Sequence, residues 1–148
     1  MKAHEMLAVM ERIIETAKTA VLGTVEGPEN HPRLRWMTPT TIRGRNGFLY
    51  ALTSPDYAWV QNLAENPRVE WMLQTKALDE IMYLRGGLSV IDNPALKADV
   101  QEAIGGRLTV FWKNIPDESN LVVLESAIEE IMYFKPLQGE RIVVRLRQ

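Results

Sequence analysis

Cysteine is absent from the 148 residues, which removes disulfides, thiolate nucleophiles and thiolate metal sites together. Histidine is almost as scarce. His4 and His31 stand far apart, neither with a partner at metal-ligand spacing, so no metal site is expected. No apolar run approaches the ~20 residues a membrane helix requires. The opening Met1-Lys-Ala-His-Glu-Met6 carries charge where a signal peptide would be apolar. Positive charge is not in excess either, with a formal net charge of -2, so no basic field points to nucleic acid. Ser54, Ser89, Ser119 and Ser126 lack a nucleophile-elbow context, so an acyl-transfer triad has nothing to rest on. Glu125, Glu129 and Glu130 read as a solvated face rather than a catalytic pair. These absences point to a cytoplasmic protein with neither membrane nor nucleic acid as partner.

What is present is ordinary for a soluble domain: 46% hydrophobic and 24% charged residues. The length suits a single domain, 1–148, with a real core. Residues 3–17 read as an amphipathic helix with Met6, Met10, Ile13, Ile14 and Ala17 as its buried stripe. Thr19 to Val25 is a short β-branched run, closed by a turn at Glu26-Gly-Pro-Glu-Asn30. His31 to Ile42 is a second extended run, which Pro39 confines to an edge or an irregular ladder. Asn46-Gly47 is a hairpin signal.

Arg68 to Gln74 and Glu80 to Ile91 are further strands, the second interrupted at Gly86-Gly87 by an expected bulge or barrel corner. Asn93-Pro94 opens a helix with Leu96, Val100 and Ile104 inward and Gly105 as its stop. Leu108 to Trp112 is an apolar helical turn or packed loop. Leu121 to Phe134 is ambiguous. Leu121, Leu124, Ile128 and Ile131 fit a helix, but Val122-Val123 and Ile131-Met-Tyr-Phe134 favour the strand assigned here. Arg141 to Arg147 alternates, with Ile142, Val144 and Leu146 on one face. Glu-Ile-Met-Tyr occurs at 80–83 and 130–133, too short a match for a repeat. Strands with single helices inserted between them, without a βαβ rhythm, predict an α+β antiparallel barrel.

The stretch from Phe48 to Pro67 organises the rest. Phe48 to Thr53 is a strand, and Ser54-Pro55 reads as a helix start, with the hydroxyl as cap and proline at the first helical position. Trp59, Val60, Leu63 and Ala64 share a face, and Asn66-Pro67 closes the segment. Thr53, Ser54, Tyr57 and the helix N-terminus would form a polar edge suited to a phosphate or another anion. An ordinary strand–turn–helix connection that binds nothing is the simpler reading from physics alone.

Several signatures, in this order, resemble the pyridoxamine 5'-phosphate oxidase-like family of flavin-binding split barrels. They are His31-Pro-Arg-Leu-Arg-Trp-Met37, Leu49-Tyr-Ala-Leu-Thr53, Leu63-Ala-Glu-Asn-Pro-Arg-Val69 and the strand carrying Arg85-Gly86. The resemblance runs from about Thr19 to the end, and is nearest to the general-stress-protein branch. It implies an antiparallel split β-barrel, a homodimer, flavin mononucleotide (FMN) at the subunit interface and a flavin-dependent oxidoreductase with a nicotinamide electron donor. The family's flavin segment falls on Arg35, Trp36, Met37 and Thr38, ending at Thr40, and the phosphate-side pair on Leu52 and Thr53, beside Ser54. Where the family has Ser, often Arg, and Lys, this chain has Tyr57, Ala58 and Trp59; Thr40 replaces a lysine of the oxidase proper.

Each residue also has a plainer role. Arg35 is a flavin or phosphate ligand by resemblance, or a strand arginine paired with one of the many glutamates. Trp36 and Met37 border a planar ring or fill barrel core. Tyr57 donates to a phosphate or is a half-exposed structural tyrosine; Trp59 has core spacing but could line a pocket. Trp112 covers a pocket across a dimer interface or belongs to a satellite cluster. The functional alternative to the oxidoreductase is a ligand-binding or structural split-barrel dimer that has lost or weakened flavin binding.

Overall fold

The computed structural model describes residues 1–105 and 120–147. The turn expected at 108–112, any role for Trp112, and Ser119 lie outside the described residues. Among the described residues three helices and seven strands follow in the order α1 (Ala3–Ala17), β1 (Ala20–Glu26), β2 (His31–Met37), β3 (Phe48–Thr53), α2 (Ala58–Gln61), β4 (Arg68–Gln74), β5 (Ile81–Ile91), α3 (Pro94–Ile104), β6 (Val122–Lys135) and β7 (Glu140–Arg145). Every ladder is antiparallel, with strand order β2-β1-β4-β5-β6-β3 and β7 also on β6. This is the α+β split-barrel plan, though the ladder does not close. Between β2 and β3 the described backbone makes one isolated bridge, Thr40 to Tyr50. The expected Asn-Gly hairpin is thus reduced to that bridge, in which Thr40 and Tyr50 exchange both main-chain hydrogen bonds at 2.8 Å.

Two apolar clusters share β3. Met6, Met10, Ile13 and Ile14 of α1 pack on Leu22, Leu49, Trp71, Leu84 and Ile131. On the other face Leu96, Val100 and Ile104 of α3 pack on Tyr50, Leu52, Leu121 and Val123. Covered on both faces, β3 is buried at every position from Leu49 to Thr53. The ends of α3 follow local chemistry: Asn93 Oδ1 accepts from the Leu96 N–H at 3.1 Å, Pro94 opens the helix and Gly105 caps it.

The bulge expected at Gly86-Gly87 organises the longest strand. Arg85 faces Glu130, but Gly86 faces Ile128, so Glu129 is the extra residue. Before the bulge β6 carries β3, from Val122 to Ala127; after it, β6 carries β7, from Glu130 to Lys135. The Ile128 N–H and the Arg147 guanidinium both donate to the Gly47 carbonyl, at 2.9 and 3.0 Å, and close this corner.

Candidate functional site

The opening between β2 and β3 is a cleft of about 410 Å³ lined by Arg35, Trp36, Met37, Thr38, Leu52, Thr53, Tyr57 and Trp59. Of the residues on which the resemblance places the flavin segment and the phosphate side, Thr40 and Ser54 are not in its wall. The cleft exists because of the topology. Among the described residues β2 pairs with β1 alone, and its outer edge turns main-chain N–H and C=O groups toward the opening. β3 delivers Leu52 and Thr53 from the far side, and the Thr40–Tyr50 bridge shuts one end.

Met37, Thr38, Leu52 and Thr53 are buried, which makes a firm floor. Trp36 is 63% exposed at the rim, and Tyr57 is also exposed. Trp36 is therefore no core residue, whereas Met37 belongs to both core and cleft. Trp59 likewise does both: it is half-buried, packs on the main core and lines the cleft.

Two expectations about the anion edge change. The helix after Ser54-Pro55 is delayed: these residues begin a turn, and α2 is a single turn, Ala58–Gln61, with no side-chain cap. The Ser54 hydroxyl accepts from the Asp56 N–H at 3.2 Å within that turn and so is committed locally. Four residues give too few aligned peptides for an effective dipole. Arg35 lies in the cleft wall, but its Nη2 meets Glu26 Oε1 at 2.5 Å, its Nη1 donates to Thr24, and its Cζ sits 4.2 Å over the Trp59 ring. Of the two roles considered for Arg35, the structure shows the pairing with a glutamate, made by a side chain that also lines the cleft.

Behind Trp59 lies a second recess of about 710 Å³, with Glu26, His31, Arg33, Asn62, Glu65 and Asn66 among its walls. Sequence reading missed it. Its only advance sign was the crowding of polar residues around Glu26–Arg33 and Asn62–Asn66. The three glutamates read as a solvated face are each engaged: Glu125 accepts from Tyr50 at 2.8 Å, Glu129 chelates Arg68, and Glu130 lies near Arg85 and Arg145. Burial, and then the Glu125 carboxylate, push the Tyr50 phenol above its ordinary range. Among the described residues no group of three or more His, Cys, Asp or Glu is placed to hold a metal, and no helix is long and apolar enough to cross a membrane.

An open antiparallel split barrel with a cleft at its unpaired edge defines the class, and residues 6–135 match the family described as pyridoxamine 5'-phosphate oxidase. The chain belongs to that family. Its fold is shared with General Stress Protein 26 from Bacillus anthracis, at 22% identity and a TM-score of 0.73, covering 99% of this chain and 100% of that one. A pyridoxamine 5'-phosphate oxidase-related, FMN binding protein from Nostoc punctiforme aligns at 16% identity and TM-score 0.66, covering 99% and 95%. A FAD-binding protein from Mesorhizobium loti aligns at 14% identity and TM-score 0.66, covering 85% and 92%. No curated protein matches the chain.

Proposed function

We propose that this chain binds a flavin in the β2–β3 cleft and serves as a flavin-dependent oxidoreductase. The observation that carries the reading is the convergence of Arg35 to Thr38, Leu52, Thr53, Tyr57 and Trp59 on one cleft. Its volume lies in the usual range for small-molecule sites. Trp36, Met37, Leu52 and Trp59 offer apolar surface for a planar ring, and the β2 edge offers main-chain donors and acceptors. A bound flavin supplies the electron chemistry, and the protein supplies position and a dry wall. The ring fits this set; among the described residues of the wall a phosphate dianion finds only Arg35 as a cation, already paired with Glu26. A nicotinamide is the electron donor the family suggests. Titrating flavin with the protein should quench flavin fluorescence to a saturating value, and no change up to millimolar flavin would remove the reading.

The Arg35–Glu26 pair also favours a second reading, a non-catalytic barrel that has given up the cofactor. Sustained oxidation of a nicotinamide by the flavin-loaded protein excludes it.

The proposal includes a homodimer. Register aligns Trp36, Val21, Met72, Tyr83, Met132 and Val143 in one row across the outer face of the sheet. Trp36 and Val143, at its two ends, are 63% and 55% exposed. The next row carries Glu70, Arg85, Glu130 and Arg145 in alternating charge, with Arg85 Nε 2.7 Å from Glu70. An apolar row bordered by charge suits a self-complementary contact. Light scattering at micromolar concentration should give twice the chain mass, and Met72→Lys should give the single chain mass. A monomeric wild type would contradict the dimer.

A further inference from the structure

The charges around the cleft bear on which flavin it takes. Among the described residues Arg35 is the one cation in its wall, and three contacts already occupy that guanidinium. Glu26 takes one edge at 2.5 Å, Thr24 accepts from Nη1, and the Trp59 ring covers a face at 4.2 Å. The adjoining recess adds no surplus of positive charge. Arg33 is there, but its Nε is 3.5 Å from the other oxygen of the same Glu26, and Glu65 lines the same wall. Two guanidiniums therefore face two carboxylates across both spaces.

A phosphate dianion draws its binding energy mainly from charge-assisted contacts with cations that are free to meet it. Here it would have to displace Glu26 from Arg35 and leave that carboxylate beside it, which costs what the new contact gains. The ring-binding groups carry no net charge: Trp36, Met37, Leu52, Trp59, two buried threonine hydroxyls and the β2 main-chain edge.

We infer that the cleft recognises the flavin by its ring system and gives no preference to a phosphorylated side chain, so that its ligand class is riboflavin-like rather than FMN-specific. This rests on the proposal that the cleft binds flavin, and Glu26 is its specificity-determining residue. The test compares riboflavin and FMN, titrated separately into the purified chain at low and at physiological salt. Dissociation constants within about threefold of each other are expected for the wild type, with little dependence on salt. Glu26→Gln keeps a hydrogen-bonding partner for Arg35 but removes the charge, so FMN should tighten about tenfold while riboflavin stays within about twofold. FMN at least tenfold tighter than riboflavin on the wild type would overturn the inference while leaving the flavin site intact. So would a Glu26→Gln variant that shifts both ligands alike. If neither ligand binds, the reading beneath falls and takes the inference with it.

Discussion

Replacing Gly86 with alanine should lower the stability of the fold by at least about 3 kcal/mol, a large share of the ~5–15 kcal/mol that holds a domain together. A β-carbon built at Gly86 runs into the Ala127 carbonyl oxygen and stands 2.9 Å from the Ala127 carbonyl carbon and 3.2 Å from the Ile128 Cα. These are backbone atoms, so no rotamer change relieves the contact. Moving them would disturb the corner at which β6 passes from β3 to β7, where Ile128 and Arg147 both reach the Gly47 carbonyl. Urea unfolding should show the lost midpoint. Gly87, where a β-carbon meets nothing within 4 Å, provides the control: Gly87→Ala should stay within about 1 kcal/mol of wild type. Equal effects at the two glycines would show that the bulge is not what Gly86 serves.

Trp71→Ala should cost about 3–5 kcal/mol. Trp71 is fully buried in the cluster beneath α1, and its indole Nε1–H donates to the Ser126 hydroxyl at 2.9 Å. The truncation leaves a large void and an unpaired hydroxyl in a region that β1, β4, β5 and β6 all share. Trp71→Phe retains most of the packing and loses the hydrogen bond, so it should fall between, at about 1–3 kcal/mol. Chemical denaturation with unchanged slope measures both. A loss below about 1 kcal/mol for the alanine variant would mean the cluster is not the core described.

The bulge also explains what could and could not be read from the sequence. The α1 stripe, the Asn93-Pro94 helix start and the paired glycines are local signals, and each marks the element found there. β6 was ambiguous because one extra residue shifts its alternation. Leu124 and Ile128 face the core before the slip and Ile131 after it, and that spacing imitates a helix. Ser54-Pro55 misled for the opposite reason. The dipeptide suits a helix start, but it serves a turn in which Ser54 bonds to Asp56, and the helix waits until Ala58. The cleft residues were legible through motif order along β2 and β3. The pairing of Arg35 with Glu26, nine residues away and across the β1–β2 hairpin, depends on strand register, which no local pattern specifies.

The claim on which the functional account depends is that one flavin occupies the β2–β3 cleft of each chain. Equilibrium dialysis of the purified protein against riboflavin, read by visible absorption on the two sides of the membrane, measures it without assuming a reaction. The account predicts saturation at one flavin per chain, with the ring's absorption bands perturbed on the protein side. Equal flavin on both sides at every concentration, with an unaltered spectrum, would contradict it.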